Sequence, residues 1–367
     1  MPHSEIAPVL TGQIENILSA SRGQIGDWEH WTIEPVTNAF QDKNQVYKIQ
    51  SSNPGALILK LEHALAETNI QREAHVLQYL SAAGLPAPHL ICSGVCDQYR
   101  VGDRYPGYLL MDCVEGTPLN WVYYRAAVEE RRLYLRQVVE LVGRLSSIRV
   151  SHAPGKPCIG SVAGSIRQKD GGIECAALEP FNQESIGPFL TIDDMFQKQI
   201  GLWLDRLKAQ REKYAAGLFE AWQGLDRSVL SGDVPVCLAH ADIAPMNIIV
   251  DPVAKSIKGL IDWEFAGFYP VDMDFHSLLY FDRHQQWKWC GAEDVALAGE
   301  LMGALQIDRP EGYDDRLVWF DLLQLTRDLC RYQSWFAGRA DDLKRYETSL
   351  EKRLNAFFNT CGIKPSV

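Results

Sequence analysis

The spacing of apolar residues changes near residue 115. Residues 31–114 contain short alternating or continuous apolar runs, among them QVYKIQ, ALILKL and GYLLMDCV, and this spacing is typical of β-strands. One helical stretch, ALAETNIQREAHVLQYLSAAG, interrupts these runs and ends at Gly84, just before two prolines. The pattern predicts a small antiparallel sheet that carries a single helix.

Helical periodicity dominates after residue 114. The predicted helices cover residues 125–148, 193 to about 225, 293 to about 305, 313 to about 336, and 340–358. The strand-like runs in this part are CLAH, NIIVD and IKGLID, and the Gly-, Ser- and Pro-rich stretch 150–192 is predicted to be a long loop. We therefore predict an α+β chain with a helical extension over 1–30, a sheet-containing lobe over 31–114 and a mainly helical lobe over 115–367.

The composition is that of a globular protein. In 367 residues, 46% are hydrophobic and 23% are charged, which is enough to bury a sizeable core. The net charge of −11 disfavours a nucleic-acid or anionic-membrane partner. There is no basic leader, and no run reaches the roughly 18 apolar residues of a spanning helix, so we expect a soluble, cytoplasmic protein. The nine cysteines lack paired spacing, which predicts reduced thiols.

The stretch LAHADIAPMNIIVD places His240, Asp242 and Asn247 on a loop that leads into an apolar strand, and Asp262 ends the next strand in GLIDWEFAG. Magnesium takes hard oxygen ligands, and an attacking hydroxyl needs a carboxylate that orients it and accepts its proton. Protein kinases do this with H-x-D-x-x-x-x-N followed by a strand-end Asp. The spacing favours Asp242 as the catalytic base and Asn247 and Asp262 as metal ligands, with His240 in a structural role. The alternative is that Asp242 and Asn247 only cap a turn and Asp262 only ends a strand.

The N-terminal sheet offers residues that could hold a nucleotide. Lys60 ends the run ALILK, where its side chain could reach the α and β phosphates, and Glu73 on the following helix could pair with it. The strand GYLLMDCVEG predicts that the backbone of Asp112, Cys113 and Val114 hydrogen-bonds the adenine edge. Taken singly, these residues fit a solvated strand end, an exposed helix face and an ordinary strand. Their order ahead of the catalytic loop favours the nucleotide site.

The motifs together resemble the aminoglycoside phosphotransferase family, the small-molecule branch of the protein-kinase-like fold. The matching segments, in family order over most of residues 37–280, are NQVYKI, ALILKL, IQREAHVLQYL, GLPAPHLICSG, YLLMDCVEGTPL, LAHADIAPMNIIVD and GLIDWEFAGFYPVDMDF. The resemblance implies a two-lobed fold, ATP or GTP with Mg²⁺, and transfer of the γ-phosphoryl group to a hydroxyl of a small-molecule acceptor. It assigns the phosphate lysine to Lys60, its partner to Glu73, the base to Asp242, and the metal ligands to Asn247 and Asp262.

The resemblance leaves one aspartate open and differs from the family pattern at two places. The family's trailing aspartate is Asp272 or Asp274, and we favour Asp272 as a structural brace. Ala241 stands where the family usually has Gly, which costs little unless that position needs a positive φ. The segment VTNAFQDKN contains no glycine, although glycines let backbone N–H groups approach phosphates closely.

Two functions therefore stay in view. The first is an active small-molecule kinase, which the complete set of five polar residues favours, and the second is a catalytically weak or inactive kinase-like nucleotide-binding module. A hydrolase is disfavoured because neither G-x-S-x-G nor H-E-x-x-H occurs, and the P-loop pattern G-x-x-x-x-G-K-[ST] is absent as well.

The sequence does not identify the acceptor or the oligomeric state. Candidate walls of the acceptor site are the helix IDDMFQKQIGLWLDRL, the loop 155–187 and the segment FDRHQQWKWCG. Asp193, Asp194 and Asp205 could hold a cationic acceptor, or they could form a helix cap and a solvated face. Glu264 could touch the acceptor, or it could accept a backbone hydrogen bond.

Overall fold

The computed structural model describes most of the chain. The described residues are 8–25, 31–36, 44–50, 55–62, 70–98, 100, 105–151, 155–156, 158–169, 172–180, 186–231, 234–279, 292–307, 312–335 and 340–363. The strands are β1 (Thr32–Pro35), β2 (Asn44–Gln50), β3 (Ala56–Glu62), β4 (Leu90–Val95), β5 (Gly107–Asp112), β6 (Thr117–Pro118), β7 (Gly160–Val162), β8 (Ile166–Lys169), β9 (Gly172–Cys175), β10 (Leu178–Glu179), β11 (Val236–Ala239), β12 (Ile248–Asp251), β13 (Ser256–Leu260) and β14 (Gly267–Pro270). The helices are α1 (Pro8–Ala20), α2 (Arg22–Ile25), α3 (Ile70–Ala82), α4 (Leu119–Tyr123), α5 (Val128–Ser146), α6 (Ile192–Gln210), α7 (Glu212–Gly224), α8 (Asp272–Leu279), α9 (Ala292–Ala304), α10 (Tyr313–Trp335) and α11 (Ala340–Thr360).

The N-terminal lobe is a five-stranded antiparallel sheet in the order β1-β2-β3-β5-β4. Side chains alternate between the two faces of a strand. On β3, Leu57, Leu59 and Leu61 are buried in the core that α1 shares with this sheet. Lys60, between two of these leucines, reaches Glu73 of α3 on the opposite face. The alternation of ALILKL therefore separates a structural face from a polar one.

The predicted helical extension contains α1, which covers the structural face of the sheet. Its apolar residues Leu10, Ile14, Ile17 and Leu18 are at most 5% exposed and pack with the β3 leucines. These residues recur every three or four positions, which is the spacing of one helix face. The predicted limits of the extension and the two lobes, at residues 30 and 114, stay a prediction.

The C-terminal lobe is mainly helical, as predicted, and α6 and α10 pack on each other through aromatic side chains. Phe196 of α6 meets Phe320 of α10 edge to face, with ring centroids 4.9 Å apart. The single helix predicted from residue 193 to about 225 is in fact two, because Arg211 leaves the helical conformation at φ −151° and ψ 66°. Apolar periodicity continues across this break, which is why the sequence pattern did not reveal it.

The prediction of a long loop over residues 150–192 was wrong. The described part of this stretch contains β7, β8, β9 and β10, each two to four residues long. Strands β10, β7, β14 and β11 form one sheet, and β8 pairs with β9 in a hairpin. Gly172 lies so close to the neighbouring backbone that a Cβ there would be 2.2 Å from the carbonyl oxygen of Arg149. Strands this short, made partly of glycine, carry no apolar periodicity.

Two strand pairs bring the polar motifs to one place. The loop 240–247 joins β11 to β12, β12 pairs with β13, and Asp262 lies two residues after the end of β13. The backbone N–H of Ile261 donates to the carbonyl oxygen of Asn247 at 2.8 Å, so the end of the loop and the residue before Asp262 are in contact.

Among the described helices, none is long and apolar enough to cross a membrane. The described cysteines are free thiols.

A buried ion pair joins α8 to α10. Arg316 of α10 donates to both carboxylate oxygens of Asp272, at 2.5 and 3.2 Å, and both side chains are at most 2% exposed. Burial raises the pKa of Asp272, and the Arg316 guanidinium acts against that shift. Asp272 is thus a brace between two helices of the C-terminal lobe.

We predict that Arg316→Met lowers the free energy of unfolding by about 3–5 kcal/mol, because it leaves a buried carboxylate without its counter-charge. Urea unfolding followed by circular dichroism measures the change. The matched control is Arg227→Met, which breaks the exposed two-bond pair with Asp193 and should cost less than about 1 kcal/mol. Equal losses in the two variants would contradict the prediction.

Candidate active site

Lys60 lies at the centre of the candidate active site and contacts three carboxylates. Its Nζ is 2.8 Å from Oε2 of Glu73, 2.8 Å from Oδ1 of Asp262 and 3.0 Å from Oε2 of Glu264. The backbone N–H of Trp263 donates to the other oxygen of Glu73 at 3.2 Å. Three segments that are distant in sequence, namely β3, α3 and the turn after β13, therefore meet at one ammonium group.

The electrostatics of this cluster keep Lys60 charged. Burial disfavours the ammonium form, but the three carboxylates, Asp262 foremost, outweigh it and raise the pKa of Lys60 well above its ordinary value. Burial also raises the pKa of Glu73, although Lys60 opposes this. The side chains of Glu73 and Glu264 are 1% and 6% exposed, whereas that of Asp262 is 37% exposed. Asp262 is therefore the carboxylate of the cluster that is open to a ligand.

The predicted catalytic loop, residues 240–247, is held by the fully buried His240 and by Asp274. The two oxygens of Asp274 accept the backbone N–H groups of His240 and Ala241, both at 2.8 Å. The His240 Nδ1 accepts the N–H of Asp242 at 3.2 Å, so its Nε2 carries the proton and donates to the carbonyl oxygen of Ile261 at 3.0 Å. His240 thus joins the loop to the segment that carries Asp262.

Asp242 and Asn247 are hydrogen-bonded to each other across the loop. The Nδ2 of Asn247 donates to Oδ2 of Asp242 at 2.9 Å and to its carbonyl oxygen at 3.0 Å. This contact fixes the Asp242 carboxylate and leaves the Oδ1 of Asn247 as the amide oxygen that could bind a cation. The sequence motif therefore corresponds to one connected polar unit.

Asp274 holds the loop 240–247, whereas Asp272, which we favoured as a structural brace, joins α8 to α10. Both residues lie in the first turn of α8, but Asp272 pairs with Arg316, whereas Asp274 accepts the two loop N–H groups. Burial raises the pKa of Asp274, while the backbone hydrogen bonds from His240 and Ala241 act against that shift. Two aspartates two residues apart cannot be told apart from sequence, since only the packing of α8 decides which one meets the loop.

Two residues of the site adopt the left-handed backbone conformation. Ala241 has φ +64°, and Asp262 has φ +66° and ψ 60°. This conformation costs an L-residue about 1–2 kcal/mol, whereas glycine adopts it freely. The family's usual glycine after the histidine therefore has a physical reason, and Ala241 is strained. The strain is held by the Asp274 hydrogen bond to the Ala241 N–H.

The predicted adenine-binding segment has only some of its backbone groups available. The N–H of Asp112 donates to the carbonyl oxygen of His89 at 3.0 Å, and that of Cys113 donates to Ala56 at 2.9 Å. Neither donor is therefore available to a nucleotide. The prediction that this segment hydrogen-bonds the adenine edge therefore depends on the carbonyl groups of Asp112, Cys113 and Val114 and on the N–H of Val114.

The residues considered for acceptor binding are mostly occupied by local contacts. Thr191 caps α6 by accepting the N–H of Asp194, whose carboxylate pairs with Lys198 at 2.8 Å. Asp193 pairs with Arg227, and Asp205 lies on an exposed part of α6. These contacts correspond to the helix-cap and solvated-face alternative. The glycine-poor segment 37–43, the aromatic segment 281–291 and parts of the loop 155–187 lie outside the described residues.

Glu264 is the polar residue of the site that the sequence analysis did not assign. It is 4% exposed, and its Oε2 accepts hydrogen bonds from Lys60 and from Asn44. Within the described part of the chain, Glu73, Asp262 and Glu264 bring carboxylate oxygens within 4.8 Å of one another. An acidic residue two positions after the predicted metal aspartate was the available signal, but nothing in the sequence showed that it points back to Lys60.

The fold and the polar cluster define a phosphotransferase of the protein-kinase-like class. A model of the phosphotransferase enzyme family, APH, matches residues 41–316, which is more than half of the chain. The chain belongs to this family, the aminoglycoside phosphotransferase family, and the resemblance noted in the sequence is confirmed.

Known proteins similar to this chain include both solved structures and a curated sequence. The chain is 13% identical to the protein in the streptomycin-ATP-APH(2")-IIa ternary complex, with a TM-score of 0.54 and coverage of 96% of this chain and 99% of that one. The chain is 14% identical to the protein in the GDP complex of wild-type aminoglycoside 2'-phosphotransferase-IIIa. The TM-score is 0.55, and the match covers 94% of this chain and 98% of that one. These likenesses support the predicted two-lobed fold.

The curated relative is acyl-CoA dehydrogenase family member 11 of Rattus norvegicus. The chain is 22% identical to it over 250 residues, which is 66% of this chain and 26% of that protein. The chain thus spans about a quarter of the length of this relative.

Replacing Ala241 by Gly is predicted to raise the free energy of unfolding by roughly 0.5–1 kcal/mol, because the relief of left-handed strain exceeds the added chain entropy. The matched control is Ala244→Gly in the same loop. Ala244 has φ −134° and is 2% exposed, so this substitution should destabilise by about 1 kcal/mol. Denaturant unfolding of both variants measures the changes. If Ala241→Gly lost as much stability as Ala244→Gly, the prediction that the backbone of Ala241 is strained would be refuted.

Proposed function

We propose that this phosphotransferase transfers the γ-phosphoryl group of ATP or GTP, with Mg²⁺, to a hydroxyl group of a small molecule. The observation that carries the proposal is the contact of Lys60 with both Glu73 and Asp262 at 2.8 Å, next to the linked Asp242 and Asn247. Phosphoryl transfer requires three parts of this kind. They are a lysine paired with a helix glutamate, an aspartate that binds the metal ion, and a loop that carries the base and an asparagine. The nucleotide complexes of the similar structures support nucleotide binding.

Asp242 has the role of general base in this proposal. Asn247 occupies its Oδ2, so the Oδ1 would accept the proton of the acceptor hydroxyl. The hydroxyl oxygen forms a bond to the γ-phosphorus as the bond from that phosphorus to the bridging oxygen breaks, and the nucleoside diphosphate leaves. A carboxylate fixed in this way serves mainly to orient the nucleophile and take up its proton.

Asn247 and Asp262 would hold the metal ion. The amide of Asn247 can serve both neighbours, because Nδ2 donates to Asp242 while Oδ1 remains for a cation. Asp262 offers the most exposed carboxylate of the Lys60 cluster. A metal ion held by these two side chains would supply positive charge that offsets the charge of the phosphates. Lys60, freed from Asp262, would then contact the phosphates directly.

The acceptor is proposed to be a small hydroxylated molecule. The family and the streptomycin complex of a similar structure support this class. The ion pairs of Asp193 and Asp194 with Arg227 and Lys198 give no support to a cation-binding site at the start of α6. Identification of the acceptor requires a screen of hydroxylated metabolites for nucleotide consumption.

The proposal predicts different defects for Asp242 and Asp262. Nucleotide with Mg²⁺ at about 100 times its dissociation constant adds roughly 2.7 kcal/mol of stability, which raises the melting temperature by a few degrees. The wild type and Asp242→Asn should show this shift, because Asp242 acts on the hydroxyl. Asp262→Ala should lose the Mg²⁺-dependent shift, because the phosphates then face the cluster without the metal. Turnover with an identified acceptor should fall by orders of magnitude in Asp242→Asn.

The matched control for these melts is Asp205→Ala, which removes an exposed carboxylate of α6 and should leave the shift unchanged. No shift of the wild type with either ATP or GTP would refute the proposal. A shift that needs neither Mg²⁺ nor Asp262 would identify the chain as a nucleotide-binding module that does not transfer phosphate.

A further inference from the structure

Glu264 is tied on two sides by hydrogen bonds that converge on one of its oxygens. Its Oε2 accepts from Nζ of Lys60 at 3.0 Å and from Nδ2 of Asn44 at 2.8 Å. Asn44 is 7% exposed and is the first residue of β2, where it is in register with Glu62 of β3. The strand that carries Lys60 and its neighbour in the sheet therefore both reach the same buried carboxylate.

The ammonium of Lys60 has three N–H donors and three carboxylate partners. Two partners, Glu73 and Glu264, are almost completely buried, whereas Asp262 is 37% exposed. If Asp262 turns to a metal ion, one N–H of Lys60 is released. The two buried carboxylates would still fix the other two N–H groups and so direct the third toward the exposed position that Asp262 now occupies.

We propose that Glu264, held in place by Asn44, is a second positioning residue for Lys60, acting beside Glu73. The inference rests on the proposed function, since it assigns the purpose of the contact to phosphate binding. Glu264 does not touch the nucleotide in this proposal. It sets the direction in which Lys60 presents its ammonium, and Asn44 fixes the rotamer of Glu264.

A purely structural role of Glu264 is the competing explanation, because its contacts also join the N-terminal sheet to the segment after β13. The two roles differ in what they do to ligands. Loss of Lys60 positioning weakens the binding of a triphosphate but not that of the nucleoside alone. Loss of structure weakens both. The ratio of the two dissociation constants therefore separates positioning from structure.

Two substitutions of Glu264 test the positioning role at equal charge. Glu264→Gln keeps an oxygen that can accept from Lys60 and Asn44, whereas Glu264→Ala removes it, and both remove the same negative charge. We expect the dissociation constant of Mg²⁺-triphosphate to be about tenfold higher in Glu264→Ala than in Glu264→Gln, the usual size for one hydrogen bond to a charged group. The dissociation constant of the matching nucleoside should agree within about twofold. Calorimetry with ATP and adenosine, or with GTP and guanosine, measures both.

Asn44→Ala provides a second test without any change of charge. It should raise the dissociation constant of the Mg²⁺-triphosphate several-fold in the wild-type background and add little in the Glu264→Ala background, because the two residues act through one contact. The matched control is Gln45→Ala on the same strand, whose side chain lies on the other face of β2 and contacts Tyr47. This control should bind triphosphate as the wild type does.

The outcomes distinguish the inference from the function on which it rests. If the wild type binds nucleotide with the expected dependence on Mg²⁺ and Asp262, but Glu264→Ala and Glu264→Gln bind triphosphate equally, only the positioning role is overturned. Parallel weakening of nucleoside and triphosphate also overturns it, in favour of a structural role. If the wild type binds no nucleotide, the proposed function and this inference fail together. If Glu264→Ala does not fold, the Asn44→Ala and Gln45→Ala comparison decides.

Discussion

The buried ammonium of Lys60 is the constraint on which the rest of the site depends. A charge taken out of water is tolerated only when opposite charges and hydrogen bonds surround it. Its three carboxylates come from α3 and from the turn after β13, and the lysine itself comes from β3. The sheet, the helix and the β12–β13 hairpin must therefore be correctly placed together, since displacement of any one would leave a buried charge partly uncompensated. One ammonium group thus links β3 to α3 and to the segment after β13.

The catalytic loop follows a different principle, in which strained backbone is held by polar contacts. Ala241 and Asp262 both have positive φ; Ala241 directly precedes the proposed base, and Asp262 is itself a proposed metal ligand. Strained backbone of this kind persists where the surroundings over-determine it. Asp274 secures the start of the loop, and His240 links it to Ile261, the residue before Asp262. The buried carboxylate of Asp274 thereby fixes the loop to α8, and the imidazole of His240 fixes it to the segment that carries Asp262.

Sequence reasoning identified the residues of this site that lie in recognisable motifs, and missed those whose role depends on packing. The approach of Lys60 to Glu73 and Asp262 could be predicted because each residue ends or lies on a periodic element in a known order. The inward orientation of Glu264 and the contact of Asp274 with the loop arise only when separate elements pack together. The same limit explains the short strands of residues 150–192, which the apolar pattern cannot reveal because two to four residues make too little periodicity.

The composition of the Lys60 cluster also bears on why a polyanion would need a metal ion there. Three acidic side chains surround one ammonium, so these four described side chains together offer no surplus positive charge to phosphates. A triphosphate entering alone would meet the exposed oxygen of Asp262, and like charges at such short range repel strongly in a partly buried site. If Asp262 held a divalent cation, its charge would offset that repulsion, and one N–H of Lys60 would become available to the phosphates. Metal and lysine would then act on the phosphates together, while Glu73 and Glu264 remain as the buried counter-charges that hold the lysine.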